Sequence, residues 1–126
     1  MQNKKTILIV EDESILFNVL RDKLTKEEFE VFEAKNGEEG LKAALKNHPD
    51  LILLDIVLPV MDGMTMLKKL REDKWGKSAR VIMLTNLSET EKIAEAIEQG
   101  SYNYLVKSNW TIADIIVKIR EQLNKE

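Results

Sequence analysis

Hydrophobic residues recur along this chain in two rhythms. Short runs at 6–10 (TILIV), 30–34 (EVFEA), 51–55 (LILLD), 80–84 (RVIML) and 102–106 (YNYLV) are dense in β-branched and aliphatic residues. That composition suits strands covered on both faces. Between these runs, apolar residues repeat at helical spacing. Ile15, Leu16, Val19, Leu20 and Leu24 keep an i, i+3, i+4 pattern while Arg21, Asp22 and Lys26 fall elsewhere, which predicts a first helix with Ser14 as its N-cap. Residues 38–46 follow Asn36-Gly37, residues 64–73 follow Asp62-Gly63, and residues 89–99 stop at Gly100, so each of these predicted helices has a boundary signal. Ile112, Ile115, Ile116, Ile119 and Leu123 form the apolar stripe of a last helix.

Five strands alternating with five helices predict an α/β fold, an open parallel sheet with helices on both faces. Parallel strands need crossovers, and right-handed crossovers cover both sides of the sheet. No repeat, low-complexity tract or Pro/Gly/Ser-rich linker divides the 126 residues, so a single domain, 1–126, is expected, with no output domain in this chain. The short apolar run of the N-terminus is interrupted by Glu11 and Asp12 before it can serve as a signal peptide or a membrane span.

Charge changes the picture only by exclusion. The balance of 19 basic against 22 acidic residues gives a net charge of −3, and no Lys/Arg block is dense enough to track phosphates, so neither direct nucleic-acid binding nor membrane insertion is expected. The absence of cysteine excludes disulfides, thiolate metal sites and thiol catalysis, and fits the cytoplasm.

In open α/β sheets, ligands sit at the carboxyl ends of the strands. Glu11 and Asp12 follow the first predicted strand, Asp55 ends the third, Thr85 lies just past the fourth and Lys107 past the fifth. Asp55 is the costly member, a carboxylate closing an apolar strand. Three carboxylates gathered there repel one another and call for a cation, and Mg²⁺, which takes hard oxygen ligands and keeps several waters, suits them. A metal, a lysine and a hydroxyl around one carboxylate is what an aspartyl nucleophile needs to attack a phosphoryl group. Taken singly, each residue has an ordinary explanation as a turn former, helix cap or solvated charge; it is their joint placement that points to chemistry.

The pieces "ILIVEDE", "LILLDIVLPVMDGM", "VIMLT" and "YLVKS", in this order, resemble the response-regulator receiver domains of bacterial two-component signalling, of the single-domain chemotaxis or sporulation-relay type, over essentially the whole chain. The resemblance implies a flavodoxin-like, doubly wound five-stranded sheet of order 2-1-3-4-5. It implies Asp55 as phosphoacceptor, Glu11 and Asp12 as the acid pair, and Mg²⁺ held by Asp12, Asp55 and the Val57 backbone carbonyl. Lys107 would pair with the phosphoryl group, and Thr85 with Tyr104 would form a switch that reshapes the face of the fourth helix, fifth strand and fifth helix. The implied partners are a histidine kinase or histidine phosphotransfer protein upstream and a protein target downstream. The chain would catalyse only its own phosphorylation and dephosphorylation.

The chain departs from the family at two positions. Ser108 stands where the family has Pro after the lysine with a cis peptide, and a non-proline cis bond costs about 2.5–4 kcal/mol, which leaves trans and strained cis both open. Asn86 follows Thr85 where the family favours a smaller residue, and either narrows the site or adds a hydrogen bond. Val57 and Leu87, two residues past Asp55 and Thr85, are apolar and cannot orient an attacking water, which predicts slow self-dephosphorylation.

Rival readings make specific demands. A phosphohydrolase of this architecture would typically place an acid where Val57 stands. A flavodoxin-type carrier needs a Gly- or hydroxyl-rich loop after the first strand, where EDESIL offers acid. A degenerate receiver would bind partners without phosphorylation. His48 is expected to be a turn residue, Trp75 and Trp110 to cover a core edge, Met61, Met64 and Met66 to pack beside the third helix, and Glu89, Glu91, Glu95 and Glu98 to form a solvated face.

Overall fold

The computed structural model describes residues 4–85, 103–106 and 111–124. Strands β1 (Thr6–Val10), β2 (Glu30–Ala34), β3 (Leu51–Asp55), β4 (Val81–Thr85) and β5 (Asn103–Val106) pair in parallel in the order β2-β1-β3-β4-β5. Helices α1 (Ser14–Lys26), α2 (Gly37–Asn47) and α3 (Gly63–Glu72) lie between the first four strands, and a C-terminal helix spans Ile112–Leu123. The sequence segment predicted as the fourth helix, 89–99, lies outside the described residues.

Strand alternation sorts the core into two layers. Ile7, Ile9, Leu51, Leu53, Ile82 and Leu84 face α1 and the C-terminal helix, where they meet Phe17, Leu20, Leu24, Ile115, Ile116 and Ile119. Leu8, Val10, Ile52, Leu54, Val81 and Met83 face the other way, onto Ala44 of α2 and Met64, Met66, Leu67 and Leu70 of α3. Each aliphatic side chain removed from water contributes about 1.5–3 kcal/mol. Covering both faces explains why β3 carries an unbroken apolar run rather than an alternating one.

Register fixes the site. Thr6 donates its backbone N–H (2.8 Å) and its hydroxyl (3.1 Å) to one carboxylate oxygen of Asp50, while the Asp50 N–H is held by the Thr6 hydroxyl oxygen at 3.0 Å. This clamp locks the starts of β1 and β3, and four residues later Val10 lies opposite Leu54. A slip of one residue would reverse every side chain. In the observed register, Glu11 and Asp55 leave adjacent strands side by side.

The caps conform to local chemistry. Asn36 caps α2 by accepting from Glu39 N–H, Asp62 caps α3 by accepting from Thr65 N–H, and Thr111 forms a reciprocal capping box with Asp114. Two details of the first helix differ from the sequence expectation. Glu13, not Ser14, is its N-cap, because Phe17 N–H already bonds to the Glu13 carbonyl and the first turn starts a residue early. Its buried face is Phe17, Leu20 and Leu24, whereas Ile15 is 83% exposed and Val19 is also exposed. The helix has apolar residues on more than half its circumference, and the sheet beneath it takes the side that carries Phe17, Leu20 and Leu24.

His48 closes α2 in the left-handed conformation (φ 45°) and stacks on Trp75 with ring centroids 4.3 Å apart and planes 9° apart. Trp75 in turn packs on the core layer under α2 and α3. This is the turn-and-lid arrangement expected of these two residues. Met64 and Met66 are buried in the same layer and Met61 packs against it. Among the described residues, no helix is long and apolar enough to cross a membrane.

Candidate functional site

At the carboxyl edge of the sheet, Glu11, Asp12 and Asp55 each offer a carboxylate oxygen within 4.8 Å of the others. Glu11 is 0% exposed and Asp55 is 4% exposed, the buried charged residues among those described, while Asp12 faces solvent. Glu11 continues β1 beyond its last pair, and its N–H bonds to the Ala34 carbonyl of β2 at 3.1 Å. Its carboxylate accepts from the Glu13 N–H at 3.3 Å, at the mouth of α1, where the helix dipole favours negative charge. Asp55 ends β3 opposite Leu84, and its side chain accepts from the Val57 N–H at 3.3 Å.

The loop after β3 surrounds Asp55 with backbone. Gly63 N–H bonds to the Ile56 carbonyl at 2.8 Å, and a Cβ on Gly63 would meet the Asp55 carbonyl oxygen at 2.0 Å, so only glycine allows α3 to start this close to the phosphoacceptor candidate. At the tip, Met61 N–H bonds back to the Pro59 carbonyl at 2.7 Å across Val60, whose φ is 68°. A β-branched residue at positive φ is costly, on the order of 1–3 kcal/mol, and persists where its surroundings fix it. The tip is also tied outward: Gly37 N–H, at the start of α2, bonds to the Met61 carbonyl at 2.9 Å.

Three hard-oxygen donors from two adjacent loops, one of them exposed to exchange with solvent, form a donor set that fits Mg²⁺, which uses one or two carboxylates and retains waters. Val57 is 60% exposed and Val60 76% exposed; like Ile15 they are large apolar side chains turned to solvent on the connections at this edge of the sheet.

The remaining predicted positions are placed only in part. Thr85 is the last residue of β4, opposite Val106, and Tyr104 lies in β5 opposite Met83. Their side chains, together with Asn86, Leu87, Lys107, Ser108 and Trp110, lie outside the described residues. Sequence reasoning missed the ties at Gly37 and Gly63. The Asn36-Gly37 and Asp62-Gly63 dipeptides signalled helix starts, but not that both glycines abut the loop after β3.

This sheet, with its acidic cluster at the end of β3, defines a class. Residues 7–120 match the response regulator receiver domain, and the chain belongs to that family. Its members are signalling proteins of two-component systems whose output depends on phosphorylation and which interact with histidine kinases or phosphotransfer proteins. Among its relatives is the Staphylococcus aureus transcriptional regulatory protein SrrA, 37% identical over 119 residues. The match covers 94% of this chain and 48% of SrrA, so the chain spans about half the length of that relative. A CheY-like receiver domain protein from Methanospirillum hungatei superposes with a TM-score of 0.90 at 30% identity, covering 97% of this chain and 95% of its own. The structure of a CheX-CheY complex with BeF3 and Mg²⁺ from Borrelia burgdorferi matches with a TM-score of 0.86 at 28% identity, covering 96% and 90% respectively.

Proposed function

We propose that this chain is a phosphorylation switch that accepts a phosphoryl group on Asp55 from a histidine kinase or histidine phosphotransfer protein in a Mg²⁺-dependent reaction. The observation that carries this reading is a buried Asp55 within 4.8 Å of Glu11 and Asp12. A carboxylate oxygen of Asp55 attacks phosphorus as the bond to the donor imidazole nitrogen breaks, and the imidazole leaves and takes up a proton. The Val57 N–H holds the carboxylate in place. Glu11 and Asp12 are the acid pair, and Asp12, Asp55 and the Val57 carbonyl are the groups that would hold Mg²⁺. When bound, the ion supplies positive charge against the carboxylates and the incoming phosphoryl oxygens. The donor set here and the Mg²⁺ in the Borrelia complex support this assignment.

Lys107 pairs with the phosphoryl group in this reading, and the Thr85 hydroxyl bonds one of its oxygens. Thr85 and Tyr104 then relay the added charge, about −1.5 to −2, to the face formed by the fourth predicted helix, β5 and the C-terminal helix. The complete doubly wound receiver arrangement and a cytoplasmic location belong to the same reading. Exposed Ile15, Val57 and Val60 offer apolar contact to a protein donor.

The test is the mass of the protein after incubation with acetyl phosphate and Mg²⁺, beside Asp55→Ala and with EDTA. A phosphoryl-sized, base-labile gain that needs both Asp55 and the metal is expected. No gain, with acetyl phosphate or with a phosphorylated donor protein, would leave the chain a phosphorylation-independent binding module.

A further inference from the structure

The first turn of α2 touches the loop after β3 more closely than helix packing requires. Gly37 N–H donates to the Met61 carbonyl at 2.9 Å, and a Cβ at Gly37 would lie 2.1 Å from that oxygen, 2.8 Å from its carbon and 3.0 Å from the Met61 Cβ. The Asn36 cap holds Gly37 in place, since its side chain accepts from Glu39 N–H at 2.9 Å while its amide donates to the Glu39 carboxylate at 3.1 Å. The loop needs such a hold. Its base is closed by the bond from Gly63 to Ile56 and by the buried Ile56 and Leu58 side chains, but at its tip Val60 stands at φ 68° with its side chain largely in solvent. The bond from Gly37 ties the backbone of the tip to a neighbouring helix, beside the packing of the Met61 side chain on the core layer.

We propose that Gly37 is a positioning residue for the metal site. Its N–H and its missing side chain latch the tip at Met61 and thereby set the Val57 carbonyl and the Val57 N–H that holds Asp55. The inference rests on the reading above, in which Val57 and Asp55 are metal ligands. A helix that contributes no ligand thus sets the geometry of one, in the way that residues behind a metal's direct ligands tune affinity by orienting them.

The test compares Mg²⁺ affinity in wild type, Gly37→Ala and Leu24→Ala, read from the Asp55 and Val57 amide resonances during titration with MgCl2. Leu24 is buried at the far end of α1 and controls for loss of stability alone. Gly37→Ala is expected to weaken Mg²⁺ binding about tenfold, while Leu24→Ala stays within about twofold of wild type. Equal affinities in wild type and Gly37→Ala would overturn the latch and leave the receiver reading intact. Absence of saturable Mg²⁺ binding in wild type would overturn both. Should Gly37→Ala not fold, hydrogen exchange of the Gly37 amide in wild type decides the matter: Mg²⁺ is expected to slow it about threefold or more, and an unchanged rate would refute the latch.

Discussion

Three carboxylates gathered at one edge of the sheet repel one another, and replacing the central one should relieve that repulsion. Asp55→Asn removes one charge and keeps the oxygen that accepts from Val57 N–H. Glu11 and Asp55 are almost fully buried, and at 4.8 Å, the outer limit of their separation, two unit charges at an effective dielectric of about 20 repel by about 3.5 kcal/mol. Counter-ions, neighbouring cations and the outward freedom of Asp12 reduce the net effect to about 1–2 kcal/mol, which for a domain of this size raises Tm by about 3–8 °C. The assay is thermal unfolding of wild type and Asp55→Asn in EDTA and then in Mg²⁺. The variant should melt higher in EDTA, and the gap should shrink in high salt. Mg²⁺ should raise the wild type more than the variant, because an ion that binds only the native state stabilises by about 2.7 kcal/mol at a hundredfold excess over its Kd. A variant no more stable than wild type in EDTA, or an equal Mg²⁺ increment in both, would refute the electrostatic argument.

Two further outcomes follow from separate parts of the molecule. Val57→Asn combined with Leu87→Glu should shorten the lifetime of the phosphoryl group, because each supplies a polar atom that can orient water; an unchanged decay measured by loss of phosphoprotein mass would show that these positions do not control it. At the foot of α1, Arg120 of the C-terminal helix donates to the Glu27 carboxylate at 2.8 Å and holds its pKa below the ordinary carboxylate value, with Lys23 adding to the effect. A carboxyl group with a folded pKa below its unfolded one stabilises the fold above the unfolded pKa, and that contribution is lost as pH falls through the folded value. The Tm deficit of Arg120→Ala should therefore be largest near neutrality and narrow in acid, leaving a remainder from the guanidinium 5.0 Å over the Phe29 ring; a deficit independent of pH would contradict the ion pair.

The sequence was most informative where burial is one-sided or total. LILLD reads as a strand covered on both faces because nothing polar interrupts it, and the structure buries all five of its residues. The convergence of Glu11, Asp12 and Asp55 followed from the rule that parallel strands present their carboxyl ends at one edge. Apolar residues on too many sides of a helix are less legible: Ile15, Leu16, Phe17, Val19 and Leu20 allow more than one stripe, and only the sheet beneath selects Phe17 over Ile15. Contacts between backbone groups distant in sequence are illegible altogether. Nothing in Asn36-Gly37 says that Met61 lies 2.9 Å away, because that proximity arises from how α2 and α3 pack on one face.

The measurement that bears most directly on the central claim is the position of the phosphoryl group in the chain. An acyl phosphate is reduced by borohydride to an alcohol, which would convert the phosphorylated aspartate into homoserine. After phosphorylation, reduction and proteolysis, mass spectrometry of the peptides should find homoserine at residue 55 and unchanged aspartate at residues 12 and 62. Homoserine elsewhere, or a stable phosphate on a hydroxyl or on His48, would contradict the account.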